Sequence, residues 1–189
     1  MFEFIGTKLT SAARWLSACV ALRPFVKRQD GAVAIEFGLV AAPFLALMFA
    51  IIETALVFFA GQALETAAAD SARMIMTGQA QTQAFASGDF KNSVCSKVFG
   101  LFNCNEGVFV DVKKFPSFQA ITLTNPVGPD GKLIKNFDYQ PGGPGDIVVV
   151  RLFYQWPVFV SLLGFNLADM ADNKRMLAAT AIFRNEPYQ

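Results

Sequence analysis

The chain has 189 residues, 53% of them hydrophobic and 16% charged, against about 25% charged in ordinary soluble domains. That length holds one modest domain plus an appended segment and argues against two full domains. A net charge of +1 and the lack of any histidine give no basis for nucleic-acid binding and remove the commonest metal ligand and general base.

Charge is unevenly placed. Residues 1–30 carry Lys8, Arg14, Arg23, Lys27 and Arg28 against Glu3 and Asp30, a net +3, whereas residues 32–189 are net −2. A basic segment ahead of an apolar run keeps that end cytoplasmic. Within it the patch WLSACVAL, which contains Cys19, is too short to span a bilayer, although it can lie on the surface. Residues 37–52 then hold no charge, and beyond Glu53 the apolar character resumes to Ala60. At ~1.5 Å per residue, roughly 20 helical residues cross a ~30 Å hydrocarbon layer. Secretory signal peptides have shorter apolar cores, about 7–15 residues, so a retained anchor is expected, with residues after about 60 outside. Pro43 is compatible with it, because lipid-embedded helices tolerate proline with a local kink.

The helix is expected to outlast the membrane. GQALETAAADSARMIM (61–76) is rich in helix formers. Leu64, Ala68 and Ser71 or Ala72 share one face, while Glu65, Asp70 and Arg73 fall largely elsewhere. Gly78 is a natural stop, which makes one helix of roughly 45 residues, half of it in lipid.

After Gly78 a Gln-, Thr-, Ser- and Gly-rich connector is expected. A short helix follows, with Ser87 as N-cap and an apolar face of Phe90, Val94 and Val98. VFVDVKKF (108–115) sets Val108, Val110 and Val112 against Phe109, Asp111 and Lys113, a strand with one buried face. TNPVGPDGK and YQPGGPG are turn segments. DIVVVRLFYQW (146–156) reads as the central strand, and NKRMLAATAIFR (173–184) as a last strand that packs back on the sheet. The fold class is α+β: a long, partly transmembrane N-terminal helix followed by a small antiparallel sheet module. Cys95 and Cys104 either form a disulfide tying helix to strand or remain two buried thiols. Without histidine they offer too few soft ligands for a metal. Asp169 and Asp172 read as a solvated loop, and neither a phosphate-binding glycine loop nor a nucleophile elbow occurs.

Glu36 is the anomaly, because a carboxylate within a membrane span costs several kcal/mol unless it is paired or reaches water. One reading leaves it at the cytoplasmic interface facing head groups, with Asp30-Gly31 as a plain turn. The other rests on its surroundings. KRQDGAVAIEF places basic residues, then Gly31, then Glu36 at the fifth position after the glycine, then Phe37. This resembles the processing site of type IV pilin-like precursors, which a membrane aspartyl peptidase cuts after the glycine. More closely, RQDGAVAIEFGLVAAPFLALMFAIIE is similar to the N-terminal signature of TadE-like proteins of tight-adherence (Tad, Flp-type) pilus systems, and RMLAATAIFRNEPYQ to that family's C-terminus.

The resemblance implies a non-enzymatic pseudopilin or minor pilin with a pilin-like fold and no cofactor or metal. Gly31 and Ala32 would flank the cut, and Glu36 and Phe37 would serve helix register in assembly. Glu53 would be a further family acid, whose simpler role is to mark the outer end of the membrane core. Residues 1–31 would be a cytoplasmic leader, 32–78 the transmembrane and extended helix, and 79–189 a periplasmic domain. Partners would be other pilin and pseudopilin subunits, the prepilin peptidase, the inner-membrane assembly platform and membrane lipid. An unprocessed single-pass envelope accessory or binding protein is the alternative.

Overall fold

A computed structural model describes residues 31–98, 100, 102–159 and 166–188. The basic N-terminal residues 1–30, with the apolar patch and Cys19, lie outside the described residues. The chain divides into two compact units, Met1–Met48 and Phe49–Gln189.

Helix α1 (Ala32–Met76) runs unbroken for 45 residues with Pro43 inside it, as the sequence predicts. Its buried residues begin at Glu53 and continue through Val57, Ala60, Leu64, Ala67, Ala68, Ser71, Ala72 and Ile75. Those steps of three and four keep one stripe in a common core with the sheet residues. Glu65, Asp70 and Arg73 are exposed. The helix stops where expected. Gly78 adopts a left-handed φ of 78°, and its N–H donates to the Ile75 carbonyl at 3.1 Å.

The expected connector holds a helical turn, α2 (Gln79–Thr82), anchored by Gln81 Nε2 donating to the Pro141 carbonyl at 3.0 Å. Helix α3 (Ser87–Lys97) buries Phe90 and Val94, and Val98 just past its end is buried too. Its cap differs from the expectation. Ala86, not Ser87, is the N-cap, and the Ala86 N–H donates to Asp89 Oδ2 at 3.0 Å. A carboxylate at the third helical position therefore reaches back to the N-cap amide, the reverse half of a capping box, and it also complements the helix dipole. A short helix, α4 (Cys104–Gly107), leads directly into the sheet.

Strands β1 (Val108–Phe115), β2 (Ile147–Pro157) and β3 (Lys174–Arg184) form an antiparallel sheet in the order β1-β2-β3. The β-branched run at 146–156 is thus the central strand and the last run a strand, both as expected. One face carries Val110, Val112, Val148, Val150, Leu152 and Ala179, which join the buried face of α1 and Phe90 in a single core.

The reverse face departs from the one-sided reading. Asp111, expected toward solvent, is only 1% exposed. Residues 116–146 fold over it as a cover, with the Phe137 ring 5.6 Å from both Phe109 and Phe153. Beneath that cover Arg151 Nε and Nη2 donate to Asp111 Oδ2 at 3.1 and 2.5 Å, and Arg151 Nη1 donates to the Thr124 carbonyl at 2.9 Å. The Asp138 N–H donates to Asp111 Oδ1 at 3.0 Å. Each buried charge is therefore partnered, as burial requires. The cover also pairs with the edge of β1: the Val112 N–H donates to the Asp138 carbonyl and the Gln140 N–H to that of Val112, both at 2.8 Å. Tyr139 between them packs 5.6 Å from Phe90. Burial pushes its phenol above the ordinary value of 10, and the nearby Asp89 charge adds to the rise.

Candidate functional site

Gly31 stands immediately before α1, exposed, and a Cβ built on it would meet nothing within 4 Å. Ala32 opens the helix and is exposed as well. The Gly31–Ala32 bond therefore lies at an open helix start. Glu36 follows one turn later, exposed, on the same face as Ala32. Phe37 beside it is 73% exposed. The first turn of α1 carries no acidic side chain, so Glu36 is the first carboxylate behind the positive end of the helix dipole.

From Val33 to Ile52 the large apolar side chains of α1 are exposed on all sides, among them Ile35, Leu39, Val40, Phe44, Leu47 and Ile51. The most apolar stretch has none of its residues buried within the chain. A helix that is apolar all round needs hydrocarbon or other helices for cover, and this one is long enough to cross a bilayer. It is a candidate membrane anchor.

Glu53 occupies a different environment. It is 5% exposed, and its Oε1 accepts a 2.5 Å hydrogen bond from the backbone N–H of Phe159, 106 residues away. The sequence placed Glu53 at the end of an apolar run. It offered no sign that the carboxylate also fastens the backbone after β2, because no spacing rule links positions so far apart. Asp111 and Arg151 are the other polar pair the sequence did not bring together. Their one signal was that each interrupts a valine-rich strand.

Cys95 and Cys104 are joined in a disulfide with their Cα atoms 5.7 Å apart, linking the last turn of α3 to α4 just ahead of β1. Asp169 lies in an exposed loop and accepts a 2.7 Å hydrogen bond from the Met176 N–H, while Asp172 is exposed at a left-handed φ of 61°. Among the described residues no group of three or more His, Cys, Asp or Glu is placed to hold a metal ion.

These features define a class: an α+β protein with a small antiparallel sheet and a disulfide between the two short helices ahead of it, whose long N-terminal helix leaves the apolar surface of its first half uncovered. Residues 31–73 match the family model of TadE-like proteins. The matched range takes in Gly31, Glu36 and Glu53 together with most of α1, and it ends before the sheet. No curated protein and no solved structure matches the chain.

Proposed function

We propose that this chain is a non-enzymatic pseudopilin or minor pilin of a Tad (Flp-type) pilus, cut after Gly31 and assembled through α1. The observation that carries the reading is a helix apolar on every side, directly behind an exposed glycine, with one exposed carboxylate a turn inside it. The family match over the same residues supports it.

Cutting the Gly31–Ala32 bond would leave an α-ammonium on Ala32 at the positive end of the helix dipole, where like charges oppose each other. Glu36 of an adjacent subunit would neutralise that ammonium. Two unit charges ~4 Å apart attract by about 4 kcal/mol at an effective dielectric near 20, before desolvation is subtracted. An otherwise apolar bundle would thereby gain one preferred axial register. Before the cut, the basic leader (1–31) would hold the N-terminus in the cytoplasm. Residues 32–78 would cross the inner membrane and extend beyond it. Residues 79–189 would fold in the periplasm, where the Cys95–Cys104 bridge is stable. Working partners would be the prepilin peptidase, the assembly platform and neighbouring pilin subunits.

The intact mass of the membrane-extracted protein, with and without the prepilin peptidase, tests the first step. The expected result is a chain starting at Ala32 only when the peptidase is present. A leader retained in both strains would reduce the protein to an unprocessed envelope anchor.

A further inference from the structure

We propose that Phe159, two residues past the end of β2 and fastened by Glu53, forms a second membrane contact, with its side chain seated in the outer-leaflet interface of the bilayer that α1 crosses. The inference rests on α1 being a membrane span, and it adds a site that the span alone does not require.

Depth carries the argument. The Phe159 amide donates to Glu53 Oε1, so the backbone of Phe159 lies at the level of residue 53 along α1. Past that level the exposed side chains of α1 remain apolar, with Leu56 at 43%, Phe58 at 71% and Phe59 at 61% exposure. Only then do exposed polar residues begin, at Gln62, Glu65 and Thr66. The border between lipid-compatible and water-compatible surface therefore falls between Phe59 and Gln62. Glu53, and Phe159 with it, lies on the lipid side of that border.

Phe159 suits such a position. It is 79% exposed, more than any other large apolar side chain among the described residues. A phenyl ring held in water forgoes the favourable burial of its apolar surface. The interfacial layer outside the hydrocarbon is about 5–7 Å deep on each side, enough to take a single aromatic ring. The hydrogen bond suits low dielectric too. A carboxylate and an amide N–H at this depth are each costly when unpartnered, and here each satisfies the other. The partner is accordingly the head-group and upper acyl region of a phospholipid leaflet. Nothing in the contact calls for a specific head group.

Nitroxide labels placed singly at Phe44→Cys, Phe118→Cys and Phe159→Cys, in a Cys19→Ser full-length chain with its disulfide intact, test this in phosphatidylcholine–phosphatidylglycerol vesicles. The readout is collisional accessibility to oxygen, which concentrates in lipid, against a water-soluble nickel chelate. Position 44 is expected deep in hydrocarbon, 118 in water, and 159 shallow but on the lipid side, with an oxygen-to-nickel ratio several-fold above that at 118. Adding Glu53→Ala should bring position 159 down to the value at 118 and leave 44 unchanged. Glu53→Gln, which keeps an acceptor oxygen, should preserve the depth at 159. A water-like value at 159 beside a lipid-like value at 44 overturns the second contact and leaves the anchor standing. Water-like values at both positions overturn the anchor and this inference together.

Discussion

Asp111 and Arg151 face each other directly in the β1–β2 register, at 1% and 7% exposure, in strands rich in valines and aromatics. An alternating pattern assigns Asp111 to solvent because it reads one strand at a time. The cover formed by residues 116–146 is turn-rich and has no periodicity, so nothing local shows that it closes over this face. What was legible was the oddity of an opposite charge in the middle of each strand. Replacing a buried ion pair by apolar groups is often close to neutral, whereas removing one partner strands a charge and costs about 3–5 kcal/mol. Arg151→Met alone is therefore expected to destabilise the module by about that amount, and Asp111→Leu with Arg151→Met by clearly less. Urea unfolding of the detergent-solubilised chain, followed by circular dichroism, measures both. Equal losses would mean that the network's bonds to Thr124 and Asp138, rather than charge pairing, dominate.

Elements were read best where periodicity or a stop signal was strong. The extent of α1, its buried stripe and its end at Gly78 all follow from spacing. The cap of α3 was misplaced by one residue because hydroxyl chemistry drew the expectation to Ser87, whereas the Asp89 carboxylate serves the amide of Ala86. Gly78 combines two constraints at the end of α1. Its φ is left-handed, and a Cβ there would overlap the Tyr188 ring from the chain's C-terminal tail. That tail returns along the helix end, with the Glu186 N–H donating to the Met76 carbonyl at 2.9 Å. Gly78→Ala is expected to cost about 1–3 kcal/mol from the backbone alone, with the ring overlap adding to it. Placing Tyr188→Ala in the same chain should recover the ring's share and leave the backbone share. Thermal melts of Gly78→Ala, Tyr188→Ala and the double variant separate the two contributions. Full recovery in the double variant would show that the left-handed backbone carries no penalty here.

At the scale of the molecule, two surfaces follow opposite rules. Around the sheet the buried charges are partnered and the apolar face of the helix is covered, while the stretch behind Gly31 leaves apolar side chains bare and Glu36 exposed. The architecture was legible because helix period, strand alternation and turn residues agreed along the chain. The long-range polar tie from Glu53 to Phe159 was not, since it depends on how distant segments meet in three dimensions. If Glu36 acts between subunits, its loss should be invisible in the isolated protein and decisive in the assembly. Glu36→Ala is expected to keep membrane insertion and the Cys95–Cys104 bridge, scored by carbonate extraction and by mobility on non-reducing gels, and to abolish surface pili. Glu36→Gln should fail in the same way, because an amide accepts a hydrogen bond but cannot neutralise an ammonium. A net pairing energy of even ~1.4 kcal/mol per contact is a tenfold change in association, and a fibre repeats that contact at every subunit. Normal pili from Glu36→Gln would show that hydrogen bonding rather than charge sets the register, and normal pili from Glu36→Ala would remove the carboxylate from the assembly mechanism altogether.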